Sequence, residues 1–138
     1  MLLAVECPKY SVMKKLLLLV CVMISLTAYS VAGDADSIVS ALKQGNAQQF
    51  SNYFDNFIDL KLPVKDEIKN VGKTQAGITV KNFFEENNIK GFENISQRES
   101  NGTMYIAGKL VGDSKSYNIT MLMKAKGDKL TIITIRIN

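Results

Sequence analysis

The 138-residue chain has no histidine and no tryptophan, and its only two cysteines, Cys7 and Cys21, fall near its start. From Gly33 to Asn138 there is neither histidine nor cysteine. A zinc centre built from Cys and His is therefore excluded from that stretch, as is a Ser-His or Cys-His nucleophile. A disulfide is excluded as well, so the fold there must rest on its apolar core. An excess of one charge is also missing: from Gly33 onward 14 Lys and Arg stand against 12 Asp and Glu. The basic residues, among them Lys43, Lys61, Lys65, Lys69, Lys73 and Lys81, are spread singly, which does not suit a run of phosphates, and no nucleic-acid partner is expected. Gly102, Gly112 and Gly127 sit between strand-like runs and not before helices, so no phosphate-cradling loop is present. Met104, Met121 and Met123 can be pictured as soft ligands for cuprous copper, but without histidine or cysteine beside them they read as adaptable core filler. No metal and no cofactor is expected.

What is present begins with an address. From Met13 the chain runs Lys14-Lys15, then an apolar stretch from Leu16 to Leu26 interrupted near its end by Ser25, then small residues at Ala28, Ser30 and Ala32. A basic start, an apolar middle and a small-x-small end define a secretory signal. We expect residues 13–32 to be a signal peptide cleaved after Ser30 or Ala32, and the protein to be exported, periplasmic or secreted. The apolar stretch falls short of the roughly 20 residues that span a bilayer, so no membrane span is expected after cleavage. Residues 1–12 place Glu6, Pro8 and Lys9 ahead of a signal that is complete without them, and we read them as an upstream mis-start, with translation beginning at Met13. Residues 33–138 form a single domain in this reading, with no repeat and no low-complexity linker.

Along that domain, Asp36 is a candidate cap for a helix bearing Ile38, Val39 and Leu42, ended by Gly45. Asn46 caps a second, in which Phe50, Tyr53, Phe54 and Phe57 recur at helical spacing and Gln49 stands at the capping-box position. Phe57 to Leu62 alternates as a half-buried strand ended by Pro63, and the polar stretch Lys65 to Lys73 reads as a loop. A third helix covers Thr74 to Asn87 with Ala76, Val80, Phe83 and Phe84 on its buried face. Four strands follow, Phe92 to Glu99, Met104 to Val111, Tyr117 to Lys126 and Leu130 to Ile137, joined by turns short enough for hairpins. The order is α-α-β-α-β-β-β-β, an α+β arrangement.

This order, with the phrases Ile38-Val-Ser-Ala-Leu-Lys-Gln-Gly-Asn46, Tyr53-Phe-Asp-Asn-Phe-Ile-Asp-Leu60 and Val80-Lys-Asn-Phe-Phe84, resembles the nuclear-transport-factor-2-like (cystatin-like) superfamily. Within it, the chain is similar to a family of small exported Bacteroidetes proteins built on a domain of unknown function. The resemblance covers nearly all of residues 33–138, including Ile135-Arg136-Ile137. It implies a cone, a curved antiparallel sheet packed on helices, often with a cavity and often dimeric through the sheet. It brings no established activity, since the superfamily includes isomerases, dehydratases and pure binding modules.

Superfamily enzymes move protons with carboxylates or tyrosines inside the cone, which makes Asp59 and Tyr53 the catalytic candidates. Asp59 alternates with Ile58 and Leu60 and shares its face with Lys61, a pattern that favours a solvent-facing charge over a base. Tyr53 and Tyr117 read as core aromatics whose hydroxyls reach a cavity rim, and both are ligand-binding candidates. Arg136 is a third, for an anionic ligand; the alternatives are that it closes an ion pair or lies at the dimer rim, and these are the favoured readings. Strict alternation also puts Leu130, Ile132 and Thr134 on one side of the last strand and Ile133, Ile135 and Ile137 on the other, which reads as a strand covered on both faces. The function these residues suggest is a non-catalytic binding or interaction module. It would hold a small apolar ligand in the cone or a protein partner on the sheet, as a homodimer through the sheet. The alternatives are a ligand-free structural dimer or assembly component, and a proton-transfer enzyme of the isomerase or dehydratase type.

Overall fold

Gly45 closes the first helix because the chain must turn there into a backbone region that disfavours side chains. In the computed structural model, which describes residues 14–16 and 30–138, α1 runs Ser30–Lys43 and buries Ala35, Ile38, Ala41 and Leu42. Its last carbonyls are met by Gly45 N–H on Leu42 (3.0 Å) and Asn46 N–H on Ala41 (2.9 Å), with Gly45 at φ 66. This is the Schellman closure. A Cβ at Gly45 would also strike the Ile89 carbonyl. Asn46 then starts α2 (Ala47–Ser51), its Oδ1 accepting from Gln49 N–H at 3.0 Å. Asn46 thus serves two helices, and its own N–H is already committed to Ala41. Asp36 is not a cap: the helix begins before it. Residues 1–12, and the expected signal peptide 13–32 apart from 14–16 and 30–32, lie outside the described residues.

The second helix is one turn long, shorter than the aromatic spacing predicts. Tyr53 leaves it, and β1 (Phe54–Lys61) begins with Phe54, Ile58 and Leu60 buried. Phe57, expected on the helix face with Phe50, is 64% exposed. Helical and strand periods compete across Phe50 to Leu60. The strand wins because its backbone pairs on both sides: parallel to β6 (Lys129–Ile137), and antiparallel to β2 (Ile68–Gly72). β2 lies in the stretch expected to be a loop, and it corrects the order to α-α-β-β-α-β-β-β-β. Only Ile68 and Val71 are apolar in it and none of its five residues is fully buried, so burial left no period to read.

α3 (Lys73–Glu86) packs Ala76, Val80, Phe83 and Phe84 inward. The meander β3 (Gly91–Ser100), β4 (Thr103–Val111), β5 (Ser116–Lys126) and β6 completes a six-stranded sheet in the order β2-β1-β6-β5-β4-β3. Asn101 and Gly102, both at positive φ (50 and 74), make the β3–β4 turn of the kind whose twist matches the strands. The result is a mixed α+β domain, a curved sheet wrapped on helices.

The β5–β6 ladder shifts register so that Leu122 faces Thr134 while Met123 faces Ile132, which leaves Ile133 as a bulge. One extra residue reverses the phase of everything beyond it. Leu130, Ile132, Ile135 and Ile137 are therefore all buried in one core, which corrects the alternation that put Ile135 and Ile137 on the opposite face from Leu130 and Ile132. Twenty-six apolar residues fill that core, and among the described residues it contains no buried polar or charged side chain. Phe50 stands edge-on to Phe54 (centroids 5.2 Å apart) and stacks on Phe84 (6.3 Å). Each large member contributes about 1.5–3 kcal/mol by leaving water.

Candidate functional site

Two surfaces gather the side chains available for recognition. The first is a cleft of about 390 Å³ between the chain after β1, one flank of α3 and the start of β5. Its back wall is Phe83 and Tyr117, edge to face at 5.1 Å. The Tyr117 hydroxyl donates to Asn87 Oδ1 at 2.7 Å, and Asn87 Nδ2 in turn donates to the Phe83 carbonyl at 2.8 Å. The ring is thereby fixed as a wall, with its hydroxyl already occupied. Lys115 holds its Nζ 5.6 Å from the ring centroid, a cation over a π face. On the rim, fully exposed Val64 stands at φ 63, a region that a β-branched residue occupies at a cost of about 1–3 kcal/mol.

The second surface is the outer face of the sheet. Antiparallel partners share a face, so the pairing places Tyr105 (β4) beside Leu122 (β5), and Leu122 beside the bulge at Ile133 (β6). Phe57 (β1) lies between the β1–β6 pairs Phe54–Ile132 and Asp59–Thr134. Phe57, Ile133, Leu122 and Tyr105 thus form a row across four adjacent strands, with Phe57 64% and Tyr105 39% exposed and the other two half-buried. Alternation was blind to this row, because the bulge that creates it is invisible in a pattern of apolar residues. Polar groups rim it. Lys126 grips both Asp55 oxygens at 2.8 Å, and Arg136 reaches Glu67 Oε1 through Nη2 (3.1 Å) and Nε (3.2 Å). The Lys126 hydrogen bond, helped by the Asn56 N–H, holds the Asp55 carboxyl below its ordinary value of 3.8.

The candidates read from sequence are not brought together. Tyr53 is half-buried between α2 and β1, its carbonyl accepting from Ile132 N–H at 2.7 Å. Ile132 pairs with Met123, six residues along β5 from Tyr117, so the two tyrosines stand about 20 Å apart at opposite ends of the sheet. Asp59 shares the outer face with Thr134 and accepts a hydrogen bond from Asn70 N–H at 3.0 Å. It does not line the interior of the cone. Lys61, its neighbour on that face, donates to Asn138 Oδ1 at 3.0 Å. Arg136 is also outward, paired with Glu67 of the same chain. Among the described residues no three of His, Cys, Asp and Glu converge on a metal position, and no helix is long and apolar enough to cross a membrane.

A curved six-stranded sheet wrapped on helices, with one parallel pair inside an otherwise antiparallel order, is the nuclear-transport-factor-2-like fold. An NTF-2-like protein of unknown function from Burkholderia xenovorans shares it at TM-score 0.59 and 9% identity, over 79% of this chain and 81% of that one. More narrowly, residues 35–138 match the family described as a domain of unknown function, DUF4783, and the chain belongs to that family. Its members from Bacteroides ovatus (TM-score 0.68, 24% identity, 73% of this chain and 90% of that one) and Bacteroides uniformis (0.69, 22%, 75% and 94%) have the same fold. Among curated proteins, none matches the chain.

Proposed function

We propose that the protein is an exported, non-catalytic interaction module that takes a protein partner on the outer face of its sheet and works as a homodimer through that sheet. The observation that carries this reading is the row Phe57, Ile133, Leu122 and Tyr105, part-exposed on four adjacent strands. Apolar area held open to water and rimmed by ion pairs is the pattern of a surface that is covered in use. The signal segment 13–32 supports export. The outward placement of Asp59 and the isolation of Tyr53 leave the proton-transfer reading without support, because a general base needs a substrate position within hydrogen-bond reach.

The test is a photo-crosslinking residue placed at Leu122 and, separately, at Lys43 on the far end of α1, in protein exported by its own signal. A discrete adduct at position 122 and none at position 43 is the expected result. Equal yields at both positions, or no adduct at either, would remove the outer-face reading. A second reading, a small apolar ligand, is favoured by the Phe83–Tyr117 wall of the cleft. Native mass spectrometry of the exported protein, purified without refolding, decides it: a reproducible added mass supports the ligand, and a bare chain removes it.

A further inference from the structure

The two edges of the sheet differ in what they offer to another chain. β2 ends one side with five residues, and Asn70 stands at φ 56, which interrupts the row of backbone groups. β3 ends the other with ten residues and pairs with β4 alone. Its free N–H and C=O groups form a template for a further strand. Charges and a bulge guard such edges against indiscriminate pairing, and β3 carries both, but here their placement is self-complementary.

Glu93 and Arg98 are five residues apart, which in a regular strand would put them on opposite faces. The bulge prevents this. Asn94 pairs with Gly108 and Ser96 with Ala107, leaving Ile95 unpaired and 61% exposed. Beyond it the phase is reversed, so Glu93, facing Lys109, and Arg98, facing Tyr105, both stand on the outer face. Among the described residues neither forms an ion pair.

We infer that a second copy of this chain pairs antiparallel along β3, centred on Ser96, and joins the two sheets edge to edge. In that register Glu93 lies opposite Arg98 of the second copy, Asn94 opposite Gln97, and Ser96 opposite itself. The two-fold axis repeats the Glu93–Arg98 pair, so each dimer gains two. Isologous pairing of this kind needs positions that match when the strand is reversed, and the bulge supplies them by dropping Ile95 from the count. The inference rests on the homodimer reading and says where the dimer joins. It differs from face-to-face packing in one consequence: both apolar rows stay open, side by side on one extended sheet.

The experiment uses the exported protein, whose residues 33–138 contain no cysteine. Opposed residues in an antiparallel pair have Cα atoms about 4.5–5.5 Å apart, within reach of a disulfide. Ser96→Cys is expected to form a 96–96 link under mild oxidation, identified by peptide mapping. Arg98→Glu is expected to raise the dimer dissociation constant about tenfold or more by sedimentation, and Glu93→Arg with Arg98→Glu to bring it back within about threefold. A dimer that ignores Arg98→Glu and yields no 96–96 link overturns the edge pairing and leaves the homodimer standing; its loss in Leu122→Lys would then place the contact on the face. A wild-type protein that is monomeric at every concentration overturns both.

Discussion

At the scale of single residues, the fold depends on positions where a side chain would have nowhere to go. Gly108 lies in the middle of β4 with the Phe92 ring against it: a Cβ there would sit 2.5 and 2.6 Å from Phe92 Cε2 and Cζ and would strike the Glu93 carbonyl. Phe92 and Leu110 are paired on the core side of these strands, so the ring has no free space to move into. Gly108→Ala is expected to lower the unfolding free energy by about 1–3 kcal/mol, the cost of overpacking, read from a denaturant midpoint. Asp55 makes a smaller and pH-dependent contribution. Its folded pKa lies below the ordinary 3.8, so its stabilisation is complete above that value and is lost as pH falls through the lower, folded one. The pair is partly exposed, and solvent screening limits it to about 0.2–1 kcal/mol. Asp55→Asn is therefore expected to be slightly less stable than wild type near neutrality and equal to it once acid has protonated Asp55; urea titrations across that range measure the difference.

At the scale of elements, one residue can join two of them. Asn46 closes α1 with its N–H and opens α2 with its side chain. Asn46→Ala removes only the second role and is expected to cost about 1 kcal/mol, with Asn46→Asp restoring most of it in thermal melts. Asn46 and Gly45 were legible in the sequence because capping chemistry is local. So were the four strands of the meander and α3, whose boundaries follow from turn residues such as Asn101-Gly102 and from the Ala76, Val80, Phe83, Phe84 stripe. β2 was not legible, because an edge strand buries little and its partner, β1, supplies the order. The phase of β6 was not legible either. Strict alternation put Ile135 and Ile137 across from Leu130 and Ile132, while the bulge at Ile133 puts all four in the core. That single insertion separates a last strand with its apolar residues divided between both faces from one that sends four of them into a single core. It also governs the candidate site, since Leu122 and Ile133 become surface neighbours only through it.

At the scale of the whole molecule, the question is whether the cone holds a guest or holds itself together. With no disulfide available from Gly33 onward, the apolar interior must supply the stability, and filling it serves that need directly. Phe50 is the test. It is fully buried, edge-on to Phe54 and stacked on Phe84, at the point where α2, α3 and β1 meet. If the interior is packed without a guest, Phe50→Ala is expected to cost about 3–5 kcal/mol, a large share of the roughly 5–15 kcal/mol typical of a domain. Phe50→Leu, which keeps most of the volume, is expected to cost clearly less. The wild type is expected to leave a fluorescent apolar probe unbound in its interior, and Phe50→Leu to behave the same way. The opposite result is a stoichiometric probe site in the wild type, abolished when Phe50 is shortened and unaffected by Leu122→Lys. It would show that the cone opens to a ligand, and the interior would then replace the outer face as the proposed site.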